Sequence, residues 1–473
     1  MLTYDLEQAT GPLYQYIYQC LKDDIMTGGL QAGDKLPSKR TFARNHGIST
    51  ITIQNAYDQL ISEGYIYTVP KKGYYVAKIR GMRQVPKETN LSLNIQRQEK
   101  KVEYAVDLSD NRMSPERFPF TVWARLMRQT ILEQDKELLR AAPYNGAAEL
   151  RAAIADYLQQ FRGMQVDPEQ IIVGAGTELL YHMLIQLLGR DKCYAVEDPG
   201  YSKIAAIYES NLVQVKYIGI DEAGLSAEEL RQQSAQVVHI SPTHHYPTGT
   251  VMPIGRRQEL LRWAAEQPER YILEDDYDSE FRFVGRPIPT LYSTDENQCV
   301  VYLNTFSKTI APSIRISYMI LPPRLLQRYR ENLGFYACTV SGFEQYTLAK
   351  FLERGYFERH LGRIRNRYRQ KRDQVIEEFM QGPLAGRVKI TGQDAGLHFL
   401  AQLQTQLPDH ELQRRAAERG LRLAMLSDYY HQKQEARQHT LVVNYSGLDI
   451  QHLPKALEDL ADMIKEESTC TTN

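Results

Sequence analysis

Lys308 stands between two hydroxyls and upstream of a guanidinium, in Thr305-Phe-Ser-Lys-Thr-Ile-Ala-Pro-Ser-Ile-Arg315. That set suits a covalently held, phosphate-bearing aldehyde. The amine forms a Schiff base, and Thr305, Ser307 and Arg315 take the phosphate. A serine-lysine pair alone is an ordinary surface dipeptide, so the weight falls on what accompanies it. Glu274-Asp-Asp-Tyr-Asp278 sets Asp275 two residues before Tyr277. A carboxylate there can hold a pyridine nitrogen protonated, and a phenol can hydrogen-bond a ring oxygen. Gly174-Ala-Gly-Thr-Glu178 is a small-residue turn ahead of the apolar helical run 179–188. Its Ala175, Gly176 and Thr177 can cradle a phosphate on backbone N–H groups. Glu197-Asp-Pro-Gly-Tyr201 offers Tyr201 for stacking on a flat heterocycle, although a plain turn has the same composition. His244 and His245 are adjacent and would point apart in an extended loop, so no metal site is expected.

Each of these residues follows a short apolar run. Strands are expected near 170–173, 193–197, 237–241, 270–274, 300–303 and 316–320, alternating with helices. Such alternation predicts a largely parallel sheet covered by helices, with ligands bound at the carboxyl ends of the strands. The candidate residues fall just there.

The first 78 residues have another rhythm. Thr10-Gly-Pro12 opens a helix with Leu13, Ile17, Cys20, Leu21 and Ile25 on one face, stopped by Gly28-Gly29. Ser38 caps a second helix with Phe42 and Ala43 inward, and Gly47-Ile-Ser49 turns into a third, from Thr50 to Glu63. That third helix turns Ile53, Ala56, Tyr57 and Leu60 inward and Thr50, Thr52, Gln54 and Asn55 outward. Strands at 65–67 and 73–76 follow, joined by Lys71-Lys72. This is the order of a winged helix-turn-helix. Thr50, Thr52 and Gln54 would reach base edges, while Ser38, Lys39, Arg40, Lys71, Lys72 and Gly73 would lie along phosphates. A small helical bundle that binds protein fits the periodicity equally.

At 473 residues the chain is too long for one core. Its net charge of −1 hides ten basic against seven acidic residues between Met1 and Arg83, a mild excess. Five scattered cysteines without CxxC spacing point to a reducing compartment. No early apolar run and no membrane-length stretch interrupts the chain, so a cytoplasmic protein without membrane partners is expected. Residues 79–104 are polar and aperiodic and read as a linker.

The segments Gly33-Asp-Lys-Leu-Pro-Ser-Lys-Arg40, Gly47-Ile-Ser-Thr-Ile-Thr-Ile-Gln-Asn-Ala-Tyr57 and Lys72-Gly-Tyr-Tyr-Val76 together resemble a GntR-type DNA-binding domain. The later motifs, in their order, resemble the fold-type I aminotransferases that use pyridoxal 5′-phosphate (PLP). The fusion, with Pro242-Thr-His-His-Tyr-Pro-Thr-Gly249, Gly285-Arg-Pro-Ile-Pro289 and Thr305-Phe-Ser-Lys308, resembles a MocR-type transcription regulator. The resemblance implies an α+β winged helix-turn-helix (1–78), the linker (79–104), and an α/β PLP-binding domain (105–467) with a tail (468–473). The large domain would hold a mostly parallel sheet and a smaller C-terminal α+β subdomain. Lys308 would carry PLP, Asp275 and Tyr277 would meet its ring, and Tyr201 would stack on it. Ala175, Gly176, Thr177, Thr305, Ser307 and Arg315 would hold its phosphate. Implied partners are a DNA operator with repeated half-sites, an amine or amino-acid effector, and a second copy arranged head to tail.

The chain departs from the pattern at several places. Thr50 replaces a frequent arginine of the recognition helix. Tyr246 stands where aminotransferases usually have asparagine, and Val442 where an arginine clamps the substrate carboxylate. Lys203 stands where GABA-responsive relatives use an arginine for effector. Ala141 and Ala142 lie where a tyrosine usually reaches the neighbouring subunit's cofactor, with Tyr144 nearby. Two readings stay open: a regulator of vitamin B6 or of amino-acid and amine metabolism genes that senses PLP, an amine or an amino acid, and a working aminotransferase with a DNA-binding appendage.

Overall fold

The computed structural model describes residues 4–79, 104–110, 118–134, 136–285 and 288–470. Nearly all of the expected linker lies outside them, as do Arg286 and Pro287 of the 285–289 motif and residues 471–473. The chain divides into two compact units, Met1–Lys100 and Lys101–Asn473.

The first unit runs α1 (Leu13–Thr27), β1 (Lys35–Leu36), α2 (Lys39–His46), α3 (Thr50–Ser62), β2 (Ile66–Val69) and β3 (Gly73–Val76). Ile17, Leu21, Ile25, Phe42, Ile53, Tyr57, Leu60, Ile66 and Val76 form its core. Leu13 sits at the surface instead of facing inward, because it is the first residue of α1 and lies beyond the reach of that core. Tyr18 is buried in its stead. Ser38 and Ser49 cap α2 and α3, their hydroxyls accepting from Thr41 N and Thr52 N at 3.1 Å each, caps of about 1 kcal/mol apiece. Between the helices Gly47 takes φ +65°, a turn that a side chain would strain. The strands form one antiparallel sheet, ordered β1-β3-β2.

The second unit begins with β4 (Val106–Asp107), α4 (Phe120–Glu133) and α5 (Ala148–Arg162). Then follow β5 (Ile171–Gly174), α6 (Thr177–Leu188), β6 (Cys193–Asp198), α7 (Ser202–Ser210), β7 (Gln214–Asp221), β8 (Gly224–Leu225), α8 (Ala227–Gln232) and β9 (Val237–Ile240). Next come α9 (Ile254–Ala265), β10 (Tyr271–Asp275), α10 (Leu291–Thr294), β11 (Val300–Thr305), β12 (Ser317–Ile320) and α11 (Pro323–Leu333). The chain closes with α12 (Gly342–Glu353), α13 (Tyr356–Gln381), β13 (Val388–Thr391), β14 (His398–Leu403), α14 (Asp409–Glu418), β15 (Leu421–Arg422), β16 (Thr440–Asn444) and α15 (Leu453–Cys470). The last helix thus continues into the span read as a tail.

Eight strands form the main sheet in the order β5-β12-β11-β10-β9-β6-β7-β8. The neighbours from β11 through β7 are parallel, while β12 runs antiparallel to both β11 and β5. Both faces are covered, so successive residues of one strand enter different cores. Along β12, Tyr318 and Ile320 pack with Ile154, Leu348 and Phe357, whereas Met319 packs with Leu180, Leu184 and Tyr329. This two-sided burial is why the strands read as unbroken apolar runs. Beyond it, β13-β14-β16 form a small antiparallel sheet, and β15 pairs with β4. Among the described residues no helix is long and apolar enough to cross a membrane.

Candidate ligand and nucleic-acid sites

The parallel strands end at one edge of the main sheet. Because β12 is reversed, its amino end meets the same edge, in the register Thr305↔Ser317↔Gly174. Topology therefore brings Lys308, which follows β11, and Arg315, which precedes β12, beside the turn that opens α6. A cavity of about 630 Å³ lies there, lined by Gly176, Thr177, Tyr201, Lys203, Asp275, Tyr277, Thr305, Ser307, Lys308 and Arg315. Ala175 is not on its wall. Its N–H donates to Thr339 Oγ1 at 3.1 Å, and its carbonyl accepts from Arg315 Nη2 at 3.4 Å.

The groups differ in how far their polar atoms are committed. Thr305 Oγ1 accepts from Ser307 N at 3.1 Å and Ser317 Oγ at 2.8 Å, so this hydroxyl braces the lysine turn. Burial pushes the Lys308 amine below its ordinary pKa, opposed by the charges of Asp278 and Asp110. Gly176 holds φ +95°, and a Cβ there would lie 2.3 Å from Arg315 Nη2. Only glycine lets the guanidinium settle against this backbone. Tyr277 donates its hydroxyl to the His244 carbonyl at 3.1 Å, and burial raises its pKa well above the ordinary value. His244 Nδ1 lies 2.9 Å from Asp278 Oδ2, and His245 Nδ1 lies 2.7 Å from Thr248 Oγ1.

Asp275 is held from behind. Its Oδ2 accepts from Tyr181 and stands 3.4 Å from His239 Nε2, and Tyr208 Oη is 2.7 Å from His239 Nδ1. With Tyr208 donating, His239 carries its proton on Nε2, facing the carboxylate. Asp275 Oδ1, in contrast, is buried without a hydrogen-bond partner among the described residues. A buried acceptor without a partner is costly unless a ligand supplies the donor.

Sequence reasoning missed Tyr181 and His239. Tyr181 lies four residues after Thr177, on the same face of α6, and His239 is the polar residue in an otherwise apolar β9. Those were the available signals. It also missed the chemistry of Glu197, which lines the cavity, accepts from Ser241 N at 3.0 Å and lies 3.5 Å from His245 Nε2. Burial pushes the Glu197 carboxyl up to about 8 and the His245 ring down to about 3. At neutral pH the two face each other uncharged, not as an ion pair. Lys203, expected to meet an effector, is ion-paired with Glu178.

The far wall is aromatic. Tyr246 Oη lies 2.8 Å from Tyr429 Oη, and the Tyr201 ring stands edge-on to Tyr246 with centroids 6.0 Å apart. Val442 is fully buried with Leu400, Ala424 and Leu426, and Tyr246 packs on that cluster.

In the first unit, Thr50, Gln54 and Asn55 are exposed on α3, and Ile51 between them is 70% exposed. Thr52 is half-buried, its hydroxyl 2.7 Å from Ser49 Oγ, and so belongs to the cap more than to an outward face. Ser38 likewise serves its cap. Arg40, Lys71 and Lys72 are exposed, and Lys39 Nζ lies 5.8 Å from the Tyr74 ring centroid. Gly73 takes φ +118° after the Lys71-Lys72 tip.

Comparison with known proteins fits both units. Residues 13–76 match the family model for bacterial regulatory proteins of the gntR family, and residues 104–460 match that for aminotransferase class I and II. A multiple substrate aminotransferase from Thermococcus profundus shares the fold, with a TM-score of 0.68, 24% identity and coverage of 78% of this chain and 93% of that one. The fold and sites thus define a DNA-binding transcription regulator with an aminotransferase-like domain. The uncharacterized HTH-type transcriptional regulator YdeL of Bacillus subtilis is 35% identical, over 95% of this chain and 96% of that protein. The probable rhizopine catabolism regulatory protein MocR of Rhizobium meliloti is 30% identical, over 97% and 95%. The pyridoxine biosynthesis regulator PdxR of Corynebacterium glutamicum is 31% identical, over 86% of each chain. The chain belongs to the MocR-type transcription regulators.

Proposed function

We propose that the cavity binds PLP at Lys308, and that the chain regulates transcription by sensing PLP, an amine or amino-acid effector, or both. The observation that carries this reading is Asp275 Oδ1, a buried acceptor at the end of β10 with no partner among the described residues, in a cavity whose next strand delivers Lys308. A protonated ring nitrogen is the donor that oxygen lacks. When bound, PLP supplies an aldehyde that an amine can capture and an electron-withdrawing ring.

This chain's residues would do the rest. Lys308, with its amine pKa lowered by burial, offers a nucleophile. Tyr181 and His239 hold Asp275 in place from behind. Tyr277 would leave the His244 carbonyl for the ring oxygen, and Tyr201 would cover one ring face. Arg315 and the N–H groups at the start of α6 would take the phosphate. The test is direct: titrate the full-length protein with PLP, follow absorbance at the edge of the visible, reduce with borohydride and map the adduct. An adduct on Lys308 is expected, and capture spread over surface lysines would overturn the assignment.

A working aminotransferase is the second reading, favoured by the lysine, aspartate and tyrosine set. Against it, Val442 is sealed in an apolar cluster, which offers no cation for a substrate carboxylate. Incubation with common amino acids and 2-oxoglutarate separates the two, because a regulator releases no keto acid.

The regulator reading includes an operator with repeated half-sites and a head-to-tail homodimer. Large apolar side chains at the surface support association: Leu139 is 88% exposed, Phe335 77% and Leu132 76%. Control of vitamin B6 or amine metabolism is supported by the likeness to PdxR, a pyridoxine biosynthesis regulator, and to MocR, a probable rhizopine catabolism regulator.

A further inference from the structure

Glu178 is the second residue of α6 and faces the end of the cavity assigned above to phosphate. Its Oε2 lies 3.0 Å from Arg315 Nη2, and its other oxygen pairs with Lys203 Nζ. One carboxylate therefore bridges the guanidinium proposed for phosphate and the ammonium proposed for effector. Arg315, half-exposed, also lies against the Gly176 backbone and touches the Ala175 carbonyl.

We infer that Glu178 is an internal anion that competes with the cofactor's phosphate for Arg315, and that Lys203 draws it aside. This rests on the PLP reading of the cavity. A phosphate seated on Arg315 and the α6 N–H groups would lie within a few ångströms of the carboxylate, and like charges repel there. The carboxylate must then shift its weight to Lys203, which holds its other oxygen. Consistent with this double hold, the two cations keep the Glu178 carboxyl below the usual range, Lys203 the more strongly.

The two cations are therefore coupled through one carboxylate. Phosphate on Arg315 tightens the Glu178–Lys203 pair, and an anion that occupies Lys203 returns Glu178 to Arg315. Such a competitor weakens the hold on PLP, which suits a sensor that must exchange its ligand, whereas an enzyme gains by keeping its cofactor.

The test compares PLP with pyridoxal, which carries the same aldehyde and ring but no phosphate. Dissociation constants are read from absorbance titrations of the full-length protein. Glu178→Gln should bind PLP about fivefold more tightly, the scale of a partly exposed ion pair, with pyridoxal affinity unchanged. Lys203→Gln should weaken PLP by a similar factor. The double variant should match Glu178→Gln, because Lys203 acts only through the carboxylate. Equal shifts for PLP and pyridoxal, no shift at all, or weaker PLP binding by Glu178→Gln would overturn the inference. If the wild-type protein captured neither aldehyde on Lys308, the reading of the cavity itself would fall, a result distinct from these.

Discussion

At the scale of single residues, the site rests on atoms whose partners are incomplete. Lys308→Ala should abolish the borohydride-fixed adduct while leaving fold and DNA binding intact, since the side chain lines a cavity and packs no core. Response to added PLP or effector should vanish with it, because a ligand moves an equilibrium only through its differential affinity for the two states. A Lys308→Ala protein that responds normally would show that the covalent bond is no part of the switch. Glu197 gives a prediction in stability. Its folded carboxyl keeps the proton up to about 8, against an ordinary value of 4.5. The folded chain thus binds more protons between those values, and stability falls as pH rises through that window. Glu197→Gln removes this dependence, so melting curves at pH 5 and pH 8 should lie closer together than in the wild type. Equal separation in both proteins would show that Glu197 is ionised in the fold. Lys308, Asp275 and Tyr277 were legible as candidates because each lies at or just beyond the end of a strand, in a short motif. Tyr181 and His239 were not, because their local marks name no partner; only the pairing of β9 with β10 and the packing of α6 on the sheet bring them to Asp275.

At the scale of elements, α3, the helix expected to read bases, offers the sharper test. Arg40→Ala and Lys72→Ala should weaken binding to all DNA sequences and flatten the salt dependence, as lost phosphate contacts do. Gln54→Ala should relax base preference by about 1–3 kcal/mol per lost contact. Gel shifts on specific and scrambled duplexes separate the two, and an unchanged Gln54→Ala would displace α3 from the groove. The inward face of α3 was plain from Ile53, Ala56, Tyr57 and Leu60, all buried. β7 was not read as a strand, because Gln214–Asp221 mixes polar residues into a half-exposed segment near the sheet edge. β1 is two residues long and gains its identity only from pairing with β3. The reversal of β12 was equally hidden, since a run such as Ser317–Ile320 has no direction in its composition.

At the scale of the whole molecule, two heads on one dimer should bind repeated half-sites with a steep dependence on salt. Sedimentation at micromolar concentration should give a dimer, and a strictly monomeric species would remove this expectation.

The reversed β12 has one more consequence. Phe306 N donates to the Ile316 carbonyl at 2.9 Å, so a single loop is pinched shut at its base. Lys308 and Arg315 rise from the two sides of that loop. The backbone separation of the two residues is then set within one closed turn. If the cavity holds PLP as proposed, such a loop would work as a gauge, admitting a molecule by the length from aldehyde to phosphate. Phosphorylated aldehydes that are shorter or longer than PLP would reach one anchor and miss the other.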